Sequence, residues 1–469
     1  MKRNFILITV VMLTSLQSTV NAAPLNPQIE AVLNAIQPAQ IKAYDDKLVS
    51  FGTRNTLSDT VSNTRGIGAA RRWIATEMEK CAVKSNGRMK VTLDEHIEPV
   101  GRRVPQPTNV VNVVATLKGT ALPERVIVVS GHYDSRATDV MDATSDAPGA
   151  NDDASGSVAV IAMACAFAPY SWPATLVFMN VAGEEQGLLG AEHWAENAAR
   201  EHRNIIAMLD DDIIGSSTGD LGQRDDMQVR LFADGFSPLL KMVLDGANKP
   251  SVATQVRPLE ESRKMIDTIV RSGGVEDTPT HQLGRYLKEA AETYLSGFHV
   301  NLINRRDRFL RGGDHLPFLE RGYAAVRFTE PFENFAHQHQ NIRIENGIQF
   351  GDLSEFVDFP FVARVAQANA AGMASLALAP ESPSNVGMLV SELTNDTVLV
   401  WKAPQDSSVS GYRIVWREPS APIWQYAKDV GMVERATLEG ISKDNYVFGV
   451  AAIAKSGQAS LPIFAQPVK

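Results

Sequence analysis

Apolar and polar residues alternate over 109–118, the pattern of an edge or hairpin strand, whereas 126–129 is a continuous apolar run suited to a strand buried on both faces. The stretches 175–181, 205–209 and 324–328 read as further buried strands. Between them, 67–80, 156–167, 191–200 and 286–295 carry apolar residues at helical spacing, with Ser155 placed to cap the second helix. This alternation predicts an α/β domain over 23–378, with a mostly parallel mixed sheet flanked by helices.

The pattern changes after Leu378. Residues 379–384, Ala-Pro-Glu-Ser-Pro-Ser, read as a linker, and 385–469 as a small all-β sandwich with short strands at 397–401, 411–416, 435–438 and 446–453. That segment resembles a fibronectin type III module, with Trp401 at the place of the buried tryptophan and Leu438 and Tyr446 at the tyrosine corner. At the other end, Lys2 and Arg3, the apolar stretch 5–13 and Val20-Asn21-Ala22 predict a signal peptide over 1–22, cleaved after Ala22 or Ala23. The apolar stretch is too short to span a bilayer comfortably, and no later segment reaches the length of a spanning helix. The mature chain is therefore expected to be secreted or periplasmic, without a membrane span.

With 469 residues and 44% apolar content, the chain can bury at least one large core. A formal charge of −9 argues against nucleic acid or an anionic membrane surface as partner, but says little about peptides. Two cysteines, Cys81 and Cys165, exclude a disulfide scaffold and leave both a single bridge and two buried thiols open.

The chemistry lies at the strand ends. Glu184 and Glu185 follow the 175–181 run inside a glycine-bounded turn, where adjacent carboxylates repel unless a cation lies between them. His132 and Asp134 end the 126–129 strand in Gly-His-Tyr-Asp-Ser, Asp152 and Asp153 precede a helix, and Asp210 to Asp212 close the 205–209 strand. In an open α/β sheet such carboxyl ends converge on one crevice. Imidazole and carboxylate donors without thiolates suit zinc in an open, catalytic site.

In the order and spacing of these motifs the chain resembles the co-catalytic di-zinc aminopeptidases, the family that includes glutamate carboxypeptidase and glutaminyl cyclase. The resemblance spans about 53–378 and implies a zinc-exopeptidase-like fold. It also implies two zinc ions per chain: His132 on one, Asp152 bridging both, Glu185 and Asp212 on one each, and a late histidine completing the second site. His339 is favoured for that position, with His337 as the alternative; Asp212 is preferred to Asp210 because Ile213-Ile214-Gly215 follows it. Glu184 would be the general base for a metal-bridging hydroxide, and Asp134 would accept the other imidazole hydrogen of His132. The resemblance further implies a cis peptide bond after Asp152 and a positioning role for Asp314-His315.

The expected activity is removal of N-terminal residues from peptides. The alternatives are a carboxypeptidase or dipeptidase for acidic peptides, using Arg305, Arg306, Arg308 and Arg311, then a single-zinc glutaminyl cyclase, then an exported binding protein without catalysis. Arginines in such clusters more often pair with nearby acids, here Asp307 and Asp314.

Overall fold

The computed structural model describes residues 25–246 and 259–469; the expected signal segment, 1–22, lies outside them. Its centre is a mixed sheet of eight strands: β1 (Met89–Glu98), β2 (Thr108–Leu117), β3 (Leu122–His132), β4 (Ala174–Val181), β5 (Asn204–Asp211), β6 (Gln228–Phe232), β7 (His299–Ile303) and β8 (Ala325–Thr329). The spatial order is β1-β2-β4-β3-β5-β8-β6-β7. The four central strands β4, β3, β5 and β8 run parallel, and antiparallel pairs flank them at β2/β4 and β8/β6.

Side-chain alternation along the central strands separates two cores. Ile127, Val129, Leu176, Phe178 and Leu209 face helices Pro27–Ala35, Gly66–Ala82, Ser155–Phe167 and Phe359–Leu378, while Val128, Val177, Met179 and Met208 face helix Leu189–Arg200 and the short helix Leu316–Leu319. Burial on both faces is why the middles of β3, β4 and β5 read as apolar runs.

Two local expectations need correction. The 109–118 strand is β2; of the two readings the hairpin holds, since it pairs antiparallel with the preceding β1, and the edge does not, since β4 pairs on its other side. Its interior polar residue Asn112 is fully buried, donating to Asp94 (3.0 Å) and the Gly190 carbonyl (3.0 Å) and accepting from the Ala182 N–H (3.2 Å). A polar position that looked solvated thus serves an internal network. Ser155 does not cap its helix; it is the first helical residue, and Asp153 Oδ1 accepts the Gly156 N–H at 2.9 Å instead.

Cys81, near the end of helix Gly66–Ala82, is disulfide-bonded to Cys165 on helix Ser155–Phe167. After helix Phe359–Leu378 the chain enters a small all-β unit of two four-stranded sheets with its own core, in which the Trp401 and Tyr412 rings pack at 5.4 Å. Arg125 donates to the carbonyls of Ala379 (2.7 Å) and Pro380 (2.9 Å), fixing the connection. Arg417 of the small unit reaches buried Asp277 at 2.8 Å, and Arg285 reaches the same carboxylate at 3.1 Å, so the β-unit is fastened to the α/β body.

The bridge closes a loop of 84 residues. Replacing both cysteines by serine should lower unfolding free energy by roughly 2–4 kcal/mol, measured by denaturant titration; an unchanged midpoint would show that the bridge contributes nothing to stability.

Candidate metal centre

The site forms at the carboxyl ends of β3, β4 and β5, where the strands deliver their last residues into one crevice. His132 is the last residue of β3, Glu184 and Glu185 follow β4, and Asp212 follows β5. Asp152 comes from the turn that feeds helix Ser155–Phe167. The segment can press against β3 and β5 because two close approaches involve glycines: a Cβ on Gly131 would stand 2.5 Å from the Gly156 carbonyl carbon, and one on Gly156 would stand 2.0 Å from the Asp211 carbonyl oxygen. The Asp152–Asp153 peptide bond is cis.

These residues make two groups that share Asp152. His132, Asp152 and Asp212 can each turn a ligand atom to a common point, as can Asp152, Glu185 and His339, with the atoms of each group within 4.8 Å of one another. Asp152 Oδ1 lies 3.1 Å from His132 Nε2, and Asp152 Oδ2 lies 2.8 Å from His339 Nε2. Asp212 Oδ1 is 3.8 Å from His132 Nε2, and Glu185 Oε1 is 3.1 Å from His339 Nε2. His339 is held at φ +53°, a conformation that a histidine seldom adopts. His337 is elsewhere: its ring stacks on Phe356 at 3.5 Å.

The surrounding charge is mostly negative. Burial pushes the Glu184, Asp153, Asp211 and Asp314 carboxyls well above the usual carboxylate range, and their acidic neighbours push in the same direction. Burial opposes protonation of His132, yet the Asp134, Asp152 and Asp212 carboxylates outweigh it and hold the imidazole pKa well above its ordinary value. The same contest, won by Glu185 and Asp152, pushes His339 up to about 10. Glu185 Oε1 is buried, and His339 Nε2 at 3.1 Å is the donor group that approaches it. The donor carboxylates Asp152 and Asp212 are held below the usual range despite burial, by His339 and His132 at Asp152 and by Arg327 and His132 at Asp212, so buried anions and imidazoles share a site that calls for positive charge, a set suited to divalent cations and free of thiolates.

A scaffold of hydrogen bonds holds the donors. Asp153 accepts from the backbone N–H groups of His132 (3.0 Å), Gly156 (2.9 Å) and Ile213 (3.2 Å), joining three segments of the site. Asp352 accepts from the N–H of Asn151 (2.8 Å) and of Asp152 (2.7 Å). Arg327 lies 2.8 Å from Asp212 and 3.1 Å from Asp307. None of these three roles was assigned from the sequence.

Asp134 acts differently from expectation. His132 Nδ1 lies 3.1 Å from the Asp134 backbone carbonyl, nearer than the carboxylate at 3.5 Å. The carboxylate instead accepts from the N–H groups of Glu184 (3.3 Å) and Glu185 (3.2 Å) and from the Thr56 hydroxyl (2.9 Å). It therefore fixes the Glu-Glu turn as well as crowding the imidazole. Asp210 turns toward Ser130 and His315, whose Nδ1 is 3.2 Å away, and Asp211 accepts from Asn369 on the opposite face of the sheet at 2.8 Å. Asp314 is fully buried with both oxygens lacking a hydrogen-bond donor, so it is not the arginine partner expected of it; Asp307 and Glu333 take that part.

The donors open into a cleft of about 300 Å³ lined by Asp152, Glu184, Glu185, Asp212 and His339. Glu184 reaches the cleft beside both groups without belonging to either.

Residues 112–268 match the model of peptidase family M28, a stretch that holds His132, Asp152, Glu184, Glu185 and Asp212. A protein of Leptosphaeria maculans named a probable zinc metalloprotease is 46% identical over 440 residues, covering 94% of this chain and 97% of its own. One of Pyricularia oryzae with the same name is 45% identical over 437 residues, covering 92% of this chain and 83% of its own. Among solved structures, the LapA aminopeptidase of Legionella pneumophila superposes with a TM-score of 0.51 at 17% identity over 75% of each chain, a likeness of fold. Near-full-length identity to these relatives, together with the family match across the strand-end motifs, shows that the chain belongs to peptidase family M28, a family of metallopeptidases.

Proposed function

We propose that this protein is an exported, zinc-dependent aminopeptidase that removes N-terminal residues from peptides. The observation that carries the reading is the shared position of Asp152, whose two oxygens face imidazoles 3.1 Å and 2.8 Å away in two separate donor groups. His132 and Asp212 would hold one zinc ion, Glu185 and His339 the other, and Asp152 both. The naming of the fungal relatives as zinc metalloproteases supports the choice of metal. The Cys81–Cys165 bridge supports an oxidising compartment, in keeping with the expected export signal.

Bound zinc would supply an acidified water and a Lewis acid for the peptide carbonyl. The protein's part is to place and move protons. Glu184 is adjacent to Glu185 yet outside both donor groups, so its carboxylate is free to take a proton from water and pass it to the leaving amine. Its orientation is fixed from behind by the Asp134 carboxylate, which accepts the Glu184 N–H. Arg327, fully buried, holds Asp212 toward His132 and keeps it ionised, since the adjacent guanidinium lowers the carboxyl pKa against the penalty of burial.

Glu184→Gln should reduce kcat by about 10²–10⁴-fold with zinc content unchanged; activity within a few fold of the parent would remove Glu184 from the base role. Asp152→Asn and His339→Ala should each lower zinc per chain, measured by atomic absorption after dialysis, whereas His337→Ala should retain it. Peptides with free amino termini should be cleaved and their N-acetylated counterparts spared, with a chelator stopping all turnover. Cleavage of the blocked peptides at comparable rates would contradict exopeptidase action.

A further inference from the structure

The cleft beside the donor groups is walled by guanidinium groups. Arg103, Arg136, Arg308 and Arg311 all line it, together with Leu188, Ile213 and Leu310.

The local acids do not neutralise these arginines. Arg308, Arg311 and Arg230 converge on the single carboxylate of Glu333. The second partner of Arg308, Asp307, is shared with Arg327. Apart from Asp212, a proposed metal ligand, four guanidinium groups thus face two carboxylates. Also lining the cleft, Arg136 reaches only Glu185 among the acids of the described residues, at 3.7 Å, and Arg103 donates to the Glu185 backbone carbonyl at 2.7 Å, with no acidic partner among the described residues. Glu185 and Asp212 are in the donor groups, so cations bound there would take up their charge and leave the arginine surplus uncompensated. Arg136 and Arg311 retain 16% and 28% side-chain exposure, enough to present N–H groups to the cleft.

We infer that this cleft selects peptides bringing a carboxylate to the arginine wall, either from an Asp or Glu side chain beside the scissile bond or from the C-terminus of a dipeptide. The inference rests on the peptidase reading of the same site and specifies its substrate class. Guanidinium is the side chain whose planar fork matches a carboxylate with two parallel hydrogen bonds. A wall of this sign also rejects substrates with Lys or Arg near the bond, because like charges are brought together. In the isolated cleft, Arg311 spends its contacts on Glu333 and Gln338, and an incoming carboxylate would share it as Glu333 already shares three arginines.

The test uses the full, zinc-loaded chain and matched peptides with free amino termini. One arm compares C-amidated tripeptides with Glu or Gln at the first or second position, and the other compares dipeptides with their C-terminal amides. At least a tenfold higher kcat/KM is expected for the carboxylate member of one arm, and the arm that shows it identifies the source of the anion. Arg311→Gln and Arg136→Gln should each reduce that preference severalfold through KM, and Arg311→Glu should shift it toward Lys-bearing peptides. Calorimetric titration of the same peptides into Glu184→Gln protein gives a second reading that needs no turnover. Equal kcat/KM and equal binding for charged and neutral members in both arms would overturn the inference while leaving aminopeptidase action intact. Cleavage of N-acetylated carboxylate peptides with the preference retained would instead overturn aminopeptidase action and keep the arginine subsite. If no peptide is hydrolysed, the titration decides: carboxylate-selective binding supports the subsite and its absence refutes it.

Discussion

Carboxylates gathered away from water repel one another and lose hydration, and each must be protonated, paired or bound to a cation. This fold buries Asp152, Asp153, Glu185, Asp210, Asp212 and Asp314 at or behind one crevice, with Glu184 at its wall and Asp211 on the other face of the sheet. Arg327 is fully buried among them and its guanidinium lies against Asp212 and Asp307, too few positive charges for the acids present. Three of the acids, Asp152, Glu185 and Asp212, are arranged in two groups with imidazoles. The pair of divalent ions proposed above would reconcile the charges of these groups with their burial, and the surrounding contacts hold the groups in place.

The holding is done chiefly by backbone hydrogen bonds to carboxylates that lie outside the two donor groups. Asp153 joins β3, the turn before helix Ser155–Phe167 and the segment after β5. Asp134 ties the end of β3 to the Glu184-Glu185 turn, and Asp352 ties the Asp152 turn to a loop two hundred residues away in sequence. Parallel strands set the spacing: His132 is paired with Val181, only a few residues before Glu185, and Ser130 with Asp210. Small shifts in these ties would misplace a ligand and weaken metal affinity, the usual sensitivity of metal sites to the groups behind the ligands.

Much of this was legible in the sequence where the cause is local. Apolar runs mark β3, β4 and β5 because both faces of each strand are covered, and acids or a histidine placed directly after such runs have few structural explanations; β8 was read despite the interruption at Arg327. The strands β6 and β7 were not legible: each has five residues interrupted by polar ones such as Arg230 and Asn301, and their pairing depends on partners distant in the chain. Helices Pro27–Ala35 and Phe359–Leu378 escaped for a related reason, since the latter is apolar nearly all round and shows little periodicity. Arg308 and Arg311 were singled out in the sequence as cationic groups, but the roles of Asp153, Arg327 and Asp352, and the presence of Arg103 and Arg136 in the same cleft, arise from long-range contacts that no spacing rule encodes.

The most direct test of the central claim is X-ray diffraction from crystals of the protein grown with zinc, collected on both sides of the zinc absorption edge. Two anomalous peaks are expected, one between His132, Asp152 and Asp212 and the other between Asp152, Glu185 and His339. A single peak, or peaks away from Asp152, would contradict the account.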